Sequence, residues 1–196
     1  MFSSKEGQVT VVDPRAGTVG EWLFAPSAEA IPDSRPLAAG LVTLTDLVLP
    51  VFEAARLFAV RGVAIRPIGG PDDAFSSLAE AGRAVDAKES ALPTSESSVE
   101  VACAVELVDG DERHTIEAAA AICWRWIGEG VIQVKIYCDA FLPRRLDGAP
   151  NPLAAANAPR LAAALTELQR VLQATVELGD DEMPWTTARG FLLDNK

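Results

Sequence analysis

The strongest constraint on this chain is strict alternation in two stretches, VEVACAVELV (Val99–Val108) and VIQVKIYCDA (Val131–Ala140), on either side of RHTIEAAAAICWRWI. A period of two places successive side chains on opposite faces of a strand, so each stretch has one apolar face and one polar face. DGDE (Asp109–Glu112) and GEG (Gly128–Gly130) lie between them and are hairpin signals. Residues 99–142 therefore predict a three-stranded antiparallel meander.

Register decides which residues share a face, because a slip of one residue reverses every side chain. With Gly128–Gly130 as a three-residue loop, Trp124 and Trp126 share a face with Ile132, Val134, Ile136 and Cys138. A two-residue loop would set the indoles beside Gln133 and Lys135. A four-residue loop at Asp109–Glu112 then adds Val99, Val101, Cys103, Val105 and Leu107, and Ile116, Ala118, Ala120 and Ile122 complete the row. One choice of loops aligns three apolar rows, and this agreement marks the tryptophan face as core. Cys103 and Cys138 then stand two strand spacings apart, about 9.6 Å, too far for a disulfide.

The opposite face carries Glu100, Glu106, Thr115, Glu117, Arg125, Gln133, Lys135, Tyr137 and Asp139 around Ala102, Ala104, Ala119 and Ala121. Small residues ringed by charges suit a floor for a helix or for a partner. The expectation is that a helix covers part of it and leaves the remainder open.

The flanks supply further elements. Gln8–Asp13 and Trp22–Phe24 read as short strands. Leu44, Leu47, Val48, Val51, Phe52, Ala55, Phe58 and Ala59 form a helical stripe stopped by Gly62, and Pro50 places the helix start near residue 49, with 41–48 extended. Val63–Ile68 is a strand, and Asp72 or Asp73 caps a second helix running to about Lys88. Asn151–Pro152 open a C-terminal helix that Pro159 breaks, with Leu161, Leu165, Leu168, Leu172 and Val176 as its stripe and Gly179 at its end. The polar segment 88–98 is a mobile connection, and the apolar tail 183–196 is an arm that packs back. The fold class is α+β: one domain with an antiparallel sheet of four to six strands and helices packed on it.

Charge limits the partners. With 28 acidic and 17 basic residues the net charge is −11, the wrong sign for nucleic acid or an anionic membrane. A basic protein is the electrostatically favoured partner. Residues 44–60 carry Asp46, Glu53 and Arg56 and read as too short for a bilayer span. The first residues lack the basic and apolar regions of a signal peptide, so a cytoplasmic setting is expected.

Catalytic patterns are sparse. His114 is the single histidine and sits at the rim of the apolar face. HExxH, GxSxG, Walker and GxGxxG patterns do not occur, nor does CxxC, so no metal or other cofactor is expected. Glu106 and Glu117 could act as a carboxylate pair only if brought together. The leading expectation is a non-enzymatic, acidic protein-binding module, similar in layout alone to small acidic chaperones and immunity proteins. Its binding face would be Glu100, Glu106, Glu117, Arg125, Lys135, Tyr137 and Asp139. Two alternatives stand beside it: a small-molecule binder or enzyme with a sheet–helix pocket of His114, Trp124 and Trp126, and a homo-oligomer built through the C-terminal arm.

Overall fold

The structure is a computed structural model that describes residues 9–31, 36–67, 73–88, 97–126, 129–179, 186–187 and 189–191. Among them, β1 (Gly20–Ala25), β2 (Phe58–Pro67), β3 (Asp73–Phe75), β4 (Ser97–Asp109), β5 (Glu112–Trp126), β6 (Gly130–Ile136) and β7 (Thr175–Leu178) form one sheet. Its order is β3-β2-β4-β5-β6-β1-β7, and every neighbouring pair is antiparallel. The α+β class and the central meander are as the alternation implies, with more strands than expected.

Both hairpin loops differ from expectation while keeping the faces. Trp126 pairs with Gly130, so the intervening residues are 127–129 and the register moves by two. Asp109 pairs with Glu112, which leaves only Gly110 and Asp111 at the turn, while Val108 still faces Arg113. An even shift preserves the side-chain alternation, so Trp124 still shares a row with Ile132.

A pair of bulges bends the sheet midway. Between the pairs Cys103–Ala120 and Val105–Ile116, β4 advances two positions while β5 advances four. Ala118 takes up the excess with φ 51 and points outward, against the expectation that it faces the core. On the other side of β4, β2 bulges at Arg61, between Val60 and Gly62. The two irregularities are tied together, since Arg61 Nε and Nη2 donate to the Glu117 carboxylate at 2.8 and 2.9 Å.

The first helix is longer at its start than the sequence suggests. It runs from α1 (Pro36–Thr43) through a π-helical turn (Leu44–Val48) into α2 (Leu49–Ala54). Pro50 does not begin it. Proline lacks a donor and its ring crowds the carbonyl four residues back. The π turn widens the backbone just before it, with Leu49 N–H bonded to Leu44 O five residues earlier, and the helix continues. Residues beyond Ala54 leave the helix because Arg56 is left-handed at φ 49. Phe58 then enters β2 and stacks on Phe52, with ring centroids 4.5 Å apart. Leu37–Ala54 is long and apolar enough to cross a membrane by length and composition, contrary to expectation, yet 56% of that window is buried.

α3 (Leu78–Lys88) is capped by Ser77, whose Oγ accepts Glu80 N–H at 3.2 Å while the Glu80 carboxylate accepts Ser76 N–H at 2.9 Å. This capping box replaces the expected Asp72 or Asp73, and Asp73 instead opens β3. The expected mobile connection at 88–98 falls largely on 89–96, outside the described residues.

α4 (Ala154–Leu172) continues through Pro159 rather than breaking there. Leu161, Leu165, Leu168 and Leu172 are buried as the stripe requires. Gln173, left-handed at φ 47, ends the helix, so Val176 belongs to β7. The helix also finishes β4. Strand β2 begins at Phe58 opposite Val105, which leaves Val108 without a strand partner on that side. The fully buried Asn157 fills this position: its Oδ1 accepts Val108 N–H and its Nδ2 donates to Val108 O, both at 2.9 Å. Arg160 donates to Glu106 O at 3.0 Å and to Ala55 O at 3.1 Å, which satisfies a carbonyl at the end of α2.

The core is a single cluster joining the helices to the tryptophan face. Trp124 is fully buried at its centre. A Cβ on Gly40 of α1 would lie 2.2 Å from its Cδ1, and one on Gly130 would lie 2.1 Å from its six-membered ring. Only glycine lets helix and strand approach the indole this closely. Of the expected arm 183–196 only residues 186–187 and 189–191 are described; Thr187 O accepts Trp22 Nε1–H at 2.7 Å, and the Phe191 ring meets the Trp22 indole edge-on at 5.2 Å.

Candidate functional site

The large buried side chains of the described helices all join the tryptophan-face cluster. No described helix lies on the other face, contrary to the expectation that one would cover part of it. Cross-strand register builds that face row by row. One row reads Arg66, Ser98, Arg125, Val131, and Ala25 pairs with Thr175 beyond it. The next reads Ala64, Glu100, Cys123, Gln133, Leu23, Glu177, and a third contains Ala102, Ala121, Lys135 and Glu21.

The middle of this face is buried rather than open. Ala121, Cys123 and Tyr137 form a second buried cluster, and Gln133 is also buried, its amide donating to Glu21. The Cys123 thiol lies 3.6 Å from Glu100 Oε2, and Arg66 Nη2 lies 3.2 Å from Glu100 Oε1. Burial, reinforced by Glu100, pushes the Cys123 thiol up to about 12. Tyr137 is also pushed up, first by burial and then by Cys123, Glu100 and Glu21. Both groups stay protonated at neutral pH, so neither is poised as a nucleophile or base.

The expected face residues separate into three groups. Glu100, Arg125 and Lys135 lie on the face, and Tyr137 lies there but is buried. Glu106 and Glu117 fall at the far end, near the bulge. Glu106 pairs with Thr115 and not with Glu117, whose carboxylate is held by Arg61, so the carboxylate pair is not formed. Asp139 is not on the face at all. It is fully buried in a 3₁₀ turn (Asp139–Phe141), where its carboxylate accepts Thr10 N–H at 2.8 Å and Leu146 N–H at 3.1 Å. The alternation fails there because the strand ends at Ile136.

The alternative pocket does not assemble. Trp124 and Trp126 stack with centroids 6.4 Å apart, but Trp124 is enclosed by Gly40 and Gly130. His114 pairs with Leu107 whereas Trp124 pairs with Val99, a separation of roughly 26 Å along the strand. Its Nε2 lies 3.6 Å from Glu112 at the hairpin tip. Among the described residues, no group of three or more His, Cys, Asp or Glu could hold a metal ion.

A shallow cavity of about 220 Å³ opens at the β7 end of the outer face, lined by Leu23, Ala25, Arg125, Glu129, Val131 and Glu177. Sequence reasoning leaves Cys123, Glu21 and Leu23 off this face, although alternation against Trp124, Trp22 and Phe24 marks all three. Arg66 and Glu177 carry no such local signal, because their places depend on long-range pairing. No protein-family model, curated protein or solved structure matches the chain.

Proposed function

We propose that the chain is a non-enzymatic, acidic protein-binding module that presents the sheet face that no described helix covers to a basic or charged protein. The observation that carries this is the one-sided packing of the sheet. The described helices lie on the tryptophan face, while Arg66, Arg125 and Ala102 on the other face reach solvent. Exposed charges around small and apolar residues suit a polar-rimmed contact surface. A net charge of −11 favours encounter with a basic protein.

Capture of proteins by the immobilised full chain at low and high salt tests this. Ala102→Arg places a long cation in the middle of the face, and Glu53→Gln, exposed on α2, makes the same change in net charge elsewhere. Salt-sensitive capture that survives Glu53→Gln and is lost in Ala102→Arg is the expected pattern. Absence of a low-salt partner, or capture indifferent to Ala102→Arg, would contradict it.

A further inference from the structure

We infer that the groove beside β7 seats a lysine or arginine side chain of the protein partner, its cation against Glu177 and its methylenes on Leu23, Ala25 and Val131; this rests on the protein-binding function proposed above. The groove has an apolar floor and three charged walls, Arg125, Glu129 and Glu177. Among the described residues, none of these three makes an ion pair.

Topology explains why Glu177 remains uncompensated. Arg125 is on β5 and Glu177 on β7, with β6 and β1 between them. Three strand spacings of ~4.8 Å separate their backbones by about 14 Å. Among the described residues no ion pair joins Arg125 to Glu177 across that gap. Glu129 stands one residue before β6, at the Arg125 end of the groove. The two ends therefore differ. One holds a guanidinium with a carboxylate near it, and the other holds a carboxylate alone.

A long cationic side chain fits this asymmetry. Its aliphatic stem covers apolar surface while its charged head stays near water, as the open groove allows. Arg125 repels the head from its own end and so sets the direction of insertion. An anion is disfavoured by Glu129, by Glu177 and by the net charge of −11.

An amide NMR titration of the isotope-labelled full chain tests this with Nα-acetyl-arginine methylamide and its uncharged citrulline counterpart. The arginine probe should shift the amides of Leu23, Ala25, Val131 and Glu177 in a saturable way. Citrulline, or the arginine probe with Glu177→Gln, should bind about two- to fivefold more weakly, the range that a solvent-exposed ion pair supplies. Glu177 is exposed on an edge strand, and the spectral dispersion of Glu177→Gln reports whether it is folded. Shifts elsewhere, equal binding of citrulline, no effect of Glu177→Gln or no saturable shift each overturn the inference. If the titration fails while Ala102→Arg still abolishes capture, only the arginine site falls; if capture fails as well, the protein-binding function falls with it.

Discussion

Gly40→Ala sets helix propensity directly against tertiary packing. Gly40 lies inside α1, where alanine is favoured over glycine by about 1 kcal/mol. The added Cβ would sit 2.2 Å from Trp124 Cδ1 and 2.5 Å from Nε1. A relaxed carbon–carbon contact is about 3.5–4.0 Å, so roughly 1.3–1.8 Å must be recovered. The indole cannot slide away, because a Cβ on Gly130 would already lie 2.1 Å from its opposite edge. Overpacking of this kind costs about 1–3 kcal/mol, and enclosure on both sides places Gly40→Ala at the upper end. After the propensity gain, about 2 kcal/mol of net destabilisation is expected. Urea unfolding should show a lower midpoint at unchanged slope, and for a chain of this size the melting temperature should fall by roughly 4–8 °C. Trp124→Phe in the same chain should recover part of the loss as a positive coupling in a double-mutant cycle. A Gly40→Ala protein more stable by about 1 kcal/mol would refute the wedge, since propensity alone would then account for it.

Two further predictions concern polar bracing and pH. Asn157→Ala removes both bonds to Val108 and leaves a part-buried N–H and C=O without their partner; it should cost about 1–3 kcal/mol by urea unfolding, more than an alanine replacement at exposed Thr166. Burial lifts Cys103, Cys123 and Cys138 from 9.0 to about 12. Between these values the unfolded thiols release protons that the folded ones retain, so their stabilising contribution is full below about pH 9 and is lost as pH rises toward 12. Alkaline melts of the wild type should fall more steeply over that interval than those of a Cys→Ala triple variant, and parallel curves would exclude the thiols as the cause.

How much was legible in the sequence follows from the range of each interaction. Alternation is local: it breaks at the β4–β5 bulge, where Ala118 turns outward and Ala119 joins the core, but it survives the even change of register at residues 127–129. That is why Trp124, Ile122 and Ile132 are placed on the correct face although their exact partners differ. The π turn before Pro50, the left-handed Arg56 and the unbroken helix through Pro159 are backbone accommodations made in tertiary context, and no propensity rule announces them. Asp139 is misplaced by extending a period of two beyond the end of β6. On the outer face, Glu100, Arg125 and Lys135 are readable from alternation, whereas Arg66 and Glu177 arrive from distant segments through pairing with β4 and β1.

The most direct measurement is thiol labelling of Ala102→Cys under native conditions. Ala102 is exposed on the face opposite the tryptophans, while its neighbour Cys103 and the other two cysteines are buried. One fast-reacting thiol is expected in the variant and none in the wild type, with the remaining three appearing only on denaturation. Protection of the thiol introduced at position 102, or a native Cys103 that reacts freely, would contradict a sheet whose tryptophan face is dry and whose opposite face reaches solvent at Ala102.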